Sequence, residues 1–243
     1  MIVKRDGFTE IHNVIKKTDR LDHDALAYMP ISPIAQYNPW NLDGNFQDIY
    51  SIISAYTLVD EYRCFEIWKM VEQQGLKGSG GDAIQVGVWR GGTGALIAKK
   101  AAEYNMDVYL CDTFDGCVKA GENDPHYKGG EHADATAEEV QLLLDVVGTS
   151  AHILEGVFPE DTSDLINSTT KFSLCHIDVD TYESTKDITE WLWPRLERGG
   201  VIVYDDYGLK GLGGVTEYIN ENYSHLDSLV IYNLNGHAIV VKR

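Results

Sequence analysis

The residues best placed to do chemistry are carboxylates that end two successive apolar runs. Asp178 and Asp180 close FSLCHIDVD (172–180), and Asp205-Asp206 close GVIVYDD (200–206), with one helical stretch between the runs. Strands joined by a single crossover are usually neighbours, about 4.8 Å apart, with their carboxyl ends on one edge of the sheet. Asp178, Asp205 and Asp206 are therefore expected to converge where α/β folds take their ligands. Like charges so close raise one another's pKa unless something neutralises them, and a divalent cation is the simplest neutraliser. Donors that are all oxygen point to Mg²⁺, Mn²⁺ or Ca²⁺ rather than zinc or copper. Blander readings exist for each piece: Asp180 before Thr181 can cap a helix, and an Asp-Asp turn after a strand is common by itself. They explain the two pieces together less well.

A second constellation is Gln85-Val86-Gly87-Val88-Trp89-Arg90-Gly91-Gly92-Thr93-Gly94, which ends the strand AIQVGV (83–88) and opens a helix. Glycines let backbone approach a ligand closely, and free N–H groups at a helix start can hold a carboxylate. S-adenosylmethionine carries such a carboxylate and no phosphate; Arg90 could pair with it or simply be exposed. The glycines do not follow GxGxxG, which counts against NAD. Asp112 lies 25 residues after Gly87, at the end of a second strand, where a carboxylate accepts from ribose hydroxyls; the alternative is a turn-capping aspartate in Asp112-Thr113-Phe114. Gly156 and Phe158, after a third strand, are placed to meet an adenine ring, although Phe158 reads nearly as well as a core residue.

The elements that must position these groups follow from periodicity. Leu58, Tyr62, Phe65 and Trp68 recur at helical spacing, and glycines from Gly75 to Gly81 then break the chain. Strands at 83–88, 107–112, 151–156, 172–180 and 200–206 alternate with helical patterns, including one with Ile188, Trp191 and Leu192 on a face and closed by Pro194 and Gly199-Gly200. Such alternation implies right-handed crossovers and a parallel sheet covered on both faces. After a helix at Val215, Tyr218 and Ile219, two strands joined through Asn233-Leu234-Asn235-Gly236 form an antiparallel hairpin. The expected fold is α/β: a Rossmann-like, mostly parallel seven-stranded sheet of the class I methyltransferase variant. Residues 1–55, with Pro30, Pro33 and Pro39 and no sustained period, read as an extension docked on a 56–243 domain.

Composition narrows the partners. The 243 residues carry 20 basic and 38 acidic side chains, a formal charge of -18. A surface that acidic repels phosphate backbones and anionic lipid, so neither nucleic acid nor a membrane is an expected partner. The stretch MIVKRDGFTEIHNVIKKTDR lacks an apolar signal core, and no run approaches the roughly 20 apolar residues that span a bilayer. The expected location is cytoplasmic. Cys64, Cys111, Cys117 and Cys175 form no CxxC pair and show no zinc-ligand spacing with the histidines; Cys111 and Cys175 read as buried thiols.

With these residues in hand, the chain resembles the macrocin-type sugar O-methyltransferases of antibiotic biosynthesis, which include an aminocoumarin methyltransferase. The pieces that carry the resemblance are YTLVDEYR (56–63), GVWRGG (87–92), the stretch around Gly130-Glu131-His132-Ala133-Asp134, IDVDTYEST (177–185) and YDDY (204–207). It runs from about Pro39-Trp40 to the C-terminus. It implies a class I methyltransferase fold, S-adenosylmethionine as cofactor, Mg²⁺ (or Mn²⁺) dependence and homo-oligomeric assembly. Carried across, it implies Asp178, Asp205 and Asp206 as metal ligands, Asp180 as general base, and a cofactor site of Thr57, Gln85, Gly87, Arg90, Gly91, Gly92, Thr93, Asp112, Thr113, Phe114, Gly156 and Phe158. Gln85 departs from the family, which usually has glutamate there. Residues 115–134 resemble the family's active-site lid, in which His126 and His132 read as surface histidines or as aids to proton removal.

The expected function is metal-dependent methyl transfer from S-adenosylmethionine to a hydroxyl of a small molecule, with a sugar favoured and a catechol-like phenol the alternative. From another reaction class, a GT-A glycosyltransferase would use Asp178-Val179-Asp180 as a DxD, but the Gly-rich turn would then precede it without purpose and Asp205-Asp206 would lack a task. A non-catalytic binding protein is the third reading, and only Gln85 leans toward it.

Overall fold

The computed structural model describes residues 37–222, 227–233 and 235–243, which all belong to one compact unit. Residues 1–36 of the expected extension, and Leu234 of the expected hairpin turn, lie outside the described residues. Seven strands form one sheet: β1 (Asp82–Val86), β2 (Val108–Asp112), β3 (His152–Glu155), β4 (Phe172–Ile177), β5 (Leu196–Tyr204), β6 (Ser228–Tyr232) and β7 (Ala238–Lys242). Their order is β3-β2-β1-β4-β5-β7-β6. The first five strands run parallel, while β7 lies antiparallel to both β5 and β6. This is the expected class I methyltransferase sheet.

The sheet is hydrophobic on both faces because consecutive residues feed opposite cores. Ala83, Leu174, Val201 and Val203 pack on one side, against α1 (Gly44–Ile53), α2 (Glu61–Lys77), α3 (Gly92–Ala102) and α4 (Ala137–Val147). Ile84, Cys175, Ile202 and Tyr204 pack on the other, under α5 (Tyr182–Leu192) and α6 (Gly213–Asn222). Helix α1 joins the first core through Phe46, Ile49 and Ile53. Asp43 both caps α1 and accepts from Trp68 Nε1 at 3.2 Å, tying α1 to α2. Helix α4 starts on a capping box between Thr136 and Glu139 and stops at Gly148, so its boundaries are set locally.

Two expectations need correction. The buried stripe of α2 is Arg63, Cys64, Ile67, Trp68, Val71 and Gln74. Leu58 precedes the helix and is 66% exposed, and Tyr62 is 53% exposed. Asp60 is the reason: as N-cap it starts the helix after Leu58 and fixes its rotation, putting a charged residue on the inner face. Strand β5 begins at Leu196, so Gly199 and Gly200 lie within it rather than closing α5; the register shift opposite Phe172 and Leu174, with Gly199 at φ +70, absorbs them.

The register brings Val86, Ile177 and Tyr204 abreast, so β1, β4 and β5 end together. Past that line Gly87 turns at φ +86, and a Cβ placed there would sit 1.7 Å from the carbonyl oxygen of Asp178. The first turn and the loop after β4 thus touch through backbone, which only glycine permits. Gly87→Ala should cost about 3 kcal/mol or more in urea unfolding. A loss below about 0.5 kcal/mol, the range of an ordinary surface change, would show that the two strand ends are not in contact.

Candidate active site

A cavity of about 280 Å³ opens at these strand ends. Asp178, Asp205 and Asp206 line it, and each offers an oxygen within 4.8 Å of the others. Asp205 and Asp206 are almost fully buried. The placement follows from register: Asp178 N–H donates to Val86 O of β1, and Asp205 N–H donates to Ile177 O of β4, both at 2.9 Å. Asp206 turns away at φ +67, so adjacent residues can both face the cavity.

The three carboxylates are electrostatically unequal. Arg63 Nη1 donates to Asp205 Oδ1 at 2.5 Å and lies 3.8 Å from Asp206. Nε2 of His237 lies 2.9 Å from the same Asp205 oxygen. Burial alone would raise Asp205, but the close pairing with His237 and the charge of Arg63 hold it below the usual carboxylate range. Burial, and then the charge of Asp205, push Asp178 and Asp206 well above that range. Charge is thus fixed on Asp205, while Asp178 and Asp206 have no cationic partner as close as Asp205 has. An oxygen-only cluster of this kind fits a hard divalent cation.

Arg63 and His237 escaped the sequence reading as site residues. Arg63 is held by Asp60, which accepts from its Nε at 2.9 Å, and by Leu58 O at 3.3 Å. His237 Nδ1 lies 2.5 Å from Glu66 Oε2, one helical turn along α2 from Arg63. The available signal was a charged residue on the inner stripe of α2. His176, on β4, is fully buried, with neither ring nitrogen hydrogen-bonded among the described residues. Burial pushes it down to about 3, so its ring is neutral beside the Asp205–His237 pair.

Asp180 follows at φ +63, a conformation that a non-glycine residue keeps only where its surroundings impose it. It does not cap α5, whose N-cap is Thr181. Its carboxylate accepts from Cys117 Sγ at 3.2 Å and stands beside Asp206 and the Tyr127 hydroxyl. Cys117, Tyr127 and His132 come from the expected lid and line the cavity; His126 is not in the lining. The lid is docked on α5, because Thr181 and Ser184 both donate to Val118 O and buried Asp124 accepts from Tyr182 N–H.

The opposite wall holds much of the expected cofactor set. Thr57, Gln85, Gly87, Thr93, Asp112, Thr113, Gly156 and Phe158 line the cavity. Asp112 accepts from the N–H groups of Val88 at 2.5 Å, Trp89 at 2.8 Å and Phe114 at 2.8 Å. A carboxylate has about four acceptor positions, so one remains open to a ligand donor. Gln85 is buried; Nε2 donates to Gly87 O at 2.7 Å, while Oε1 has no partner among the described residues. An orphaned acceptor beside the glycine turn suits a ligand that brings a donor or positive charge.

Arg90, Gly91, Gly92 and Phe114 are not in the lining. Arg90, expected either to pair with a cofactor carboxylate or to be exposed, stacks on Trp89, 4.5 Å from the ring centroid, and donates to Asp134 Oδ2 at 2.5 Å. Trp89 Nε1 donates to the same carboxylate at 2.6 Å, so Asp134 joins the turn to the end of the lid. Two N–H groups at the helix start are engaged by the protein itself: Gly91 N–H donates to Val88 O and Gly92 N–H to Tyr56 O.

The macrocin O-methyltransferase (TylF) family matches residues 36–229. Among curated proteins the chain is similar to 8-demethyl-8-(2,3-dimethoxy-alpha-L-rhamnosyl)-tetracenomycin-C 4'-O-methyltransferase of Streptomyces olivaceus, 27% identical over 69% of this chain and 72% of the relative. It is also similar to mycinamicin III 3''-O-methyltransferase of Micromonospora griseorubida, 23% identical over 75% and 77% of the two chains. Among solved structures, the O-methyltransferase NovP shares the fold with a TM-score of 0.64 at 23% identity, covering 77% of this chain and 82% of that one.

The Arg63–Asp205 pair makes a stability prediction. Arg63→Met leaves a buried carboxylate short of its cation, which costs about 3–5 kcal/mol at neutral pH. Because the folded value of Asp205 is depressed, its contribution is present above the unfolded value of about 3.9 and is lost as pH falls. Thermal unfolding across pH should show the gap between variant and wild type narrowing below about pH 4. A gap that is constant or widens on acidification would overturn the assignment.

Proposed function

The chain belongs to the macrocin O-methyltransferase (TylF) family, and from that premise we propose that it methylates a sugar hydroxyl on a small glycosylated metabolite, using S-adenosylmethionine and a divalent cation. The observation that carries this reading is the convergence of Asp178, Asp205 and Asp206 in one cavity with Gln85, Gly87 and Asp112. Two relatives named for methylating glycosylated antibiotics favour a sugar over a catechol-like phenol. A GT-A glycosyltransferase is not favoured, because Asp205 and Asp206 join Asp178 in one cluster instead of leaving a lone DxD.

In this reading Asp178, Asp205 and Asp206 hold Mg²⁺ (or Mn²⁺). When bound, such a cation lowers the pKa of an acceptor hydroxyl nearby. Asp180 takes the hydroxyl proton as general base. Arg63 and His237 keep Asp205 ionised and fixed in direction, so that the cluster does not collapse into shared protons. Across the cavity, Asp112 orders the glycine turn and keeps one acceptor position for a ribose hydroxyl, and Phe158 walls the adenine. Gln85 Oε1 faces the cofactor as a neutral acceptor where the resemblance leads one to expect a charge. S-adenosylmethionine supplies an electrophilic methyl group. Aligning the reactants on these two walls is worth about 7–11 kcal/mol of barrier in favourable cases. The lid, fastened at Asp134 and at Val118, excludes water from the reacting atoms. Among the described residues no helix is long and apolar enough to cross a membrane. The proposed location is cytoplasmic and, from the family resemblance, the proposed assembly is a homo-oligomer.

Isothermal titration should give micromolar binding of S-adenosylmethionine and S-adenosylhomocysteine, little changed by a chelator that abolishes turnover. Asp180→Asn should lower turnover by about 10²–10⁴-fold while S-adenosylmethionine affinity stays within about twofold. Turnover near wild type in that variant removes Asp180 from the role of base. Absence of S-adenosylmethionine binding under every condition sinks the reading as a whole.

A further inference from the structure

The lid places a second set of metal-binding donors against the proposed base. Cys117 Sγ, a ring nitrogen of His132 and a carboxylate oxygen of Asp180 all lie within 4.8 Å of one another, and all three residues line the cavity. Sequence spacing concealed them. Cys117 and His132 are brought together because the lid doubles back: Cys117 N–H donates to Glu131 O and Gly130 N–H donates to Cys117 O. Asp180 joins them because Val118 O accepts from Thr181 and Ser184 at the head of α5. His132 and Asp180 both hold positive φ, at +65 and +63, so their side chains are aimed by the surrounding structure rather than by backbone preference.

The donor set differs in kind from the carboxylate cluster. One sulfur, one imidazole and one carboxylate suit a thiophilic cation, whereas three carboxylates suit a hard one. Zinc bonds of about 2.3 Å to sulfur and 2.1 Å to oxygen set a tetrahedral S···O separation near ~3.6 Å. The separation of Cys117 Sγ and Asp180 Oδ2 is 3.2 Å, within a small side-chain adjustment of that value. We propose that Cys117, His132 and Asp180 form an inhibitory site for a thiophilic divalent cation, with Zn²⁺ the representative ion, distinct from the carboxylate cluster. On binding, the Cys117 thiol gives its proton to solvent and its sulfur bonds the metal, while the Asp180 carboxylate is engaged as a ligand. The lid is then clamped to the head of α5, and Asp180 can no longer accept a proton. The inhibition rests on the role proposed above for Asp180; the binding does not.

The test titrates Co²⁺ into the full chain in saturating Mg²⁺ and without oxygen, reading the thiolate-to-cobalt charge-transfer band. Cys64, Cys111 and Cys175 are buried, so the band reports on Cys117. One equivalent should develop the band, and Zn²⁺ should displace it. Cys117→Ser should lose it. His132→Gln, an exposed change that spares folding, should weaken Co²⁺ binding by about 100-fold or more. Asp178→Asn, which alters only the carboxylate cluster, should keep it. Methyl transfer in Mg²⁺ should fall at least about tenfold on adding one equivalent of Zn²⁺, each variant being referred to its own zinc-free rate. Absence of the band, or a band of unchanged affinity in His132→Gln, overturns the site. A full band with undiminished turnover overturns the inhibition. A band in a protein that transfers no methyl group under any condition upholds the site and overturns the methyltransferase reading instead.

Discussion

Three carboxylates drawn within 4.8 Å of one another at the edge of a sheet repel, and two of them are almost fully buried. Their mutual charge has to be offset from outside the cluster, and the surrounding structure is arranged around that need. Helix α2 turns Arg63 inward against Asp205, and His237, the residue before β7, comes from the opposite end of the chain. Glu66, one turn from Arg63 on α2, accepts from Asn233 and pairs with His237, so helix and hairpin are fastened through the same charges. The antiparallel end of the sheet thus takes part in the site: β7 lies beside β5 and sets His237 next to the Asp205 that β5 delivers.

This bias makes the cluster asymmetric. Asp205 is held ionised, while burial and that fixed charge push Asp178 and Asp206 upward. A cluster with one member already committed would need little rearrangement to take the divalent cation proposed for it. Burying such charge without a counter-charge would be far more costly than leaving it at the surface. The site is better understood as a local cost accepted for chemistry than as a source of stability.

The second constraint is closeness of backbone. Gly87 lets the first strand end lie against Asp178, and Asp112 winds the following turn by accepting three N–H groups. The wall formed by the glycine turn and the carboxylate wall are therefore held at a fixed separation by main chain. The lid closes the space between them from two anchorages, Asp134 at the turn and Val118 at α5. Its placement over Asp180 is what joins a sulfur and an imidazole to a site otherwise built from oxygen.

Much of the fold was legible because its determinants are local. Alternating apolar strands and helical patterns follow from backbone geometry over a few residues, and they identified the sheet, its antiparallel close and the strand ends where Asp178, Asp180, Asp205 and Asp206 stand. Neighbouring strands joined by one crossover also made the meeting of three carboxylates predictable. Where local signals competed, the reading failed: Asp60 moved the start of α2 and its inner face, and a bulge took Gly199 and Gly200 into β5. By itself the sequence determined the architecture and the acidic cluster, since both depend on periodicity and strand order. Only the tertiary structure decided which cations answer that cluster, that Arg90 turns to Asp134, and that Cys117 and His132 reach Asp180. Those pairings join residues 44 to 171 positions apart or a loop folded on itself, and their energies depend on distance in space, on which spacing along the chain carries no information.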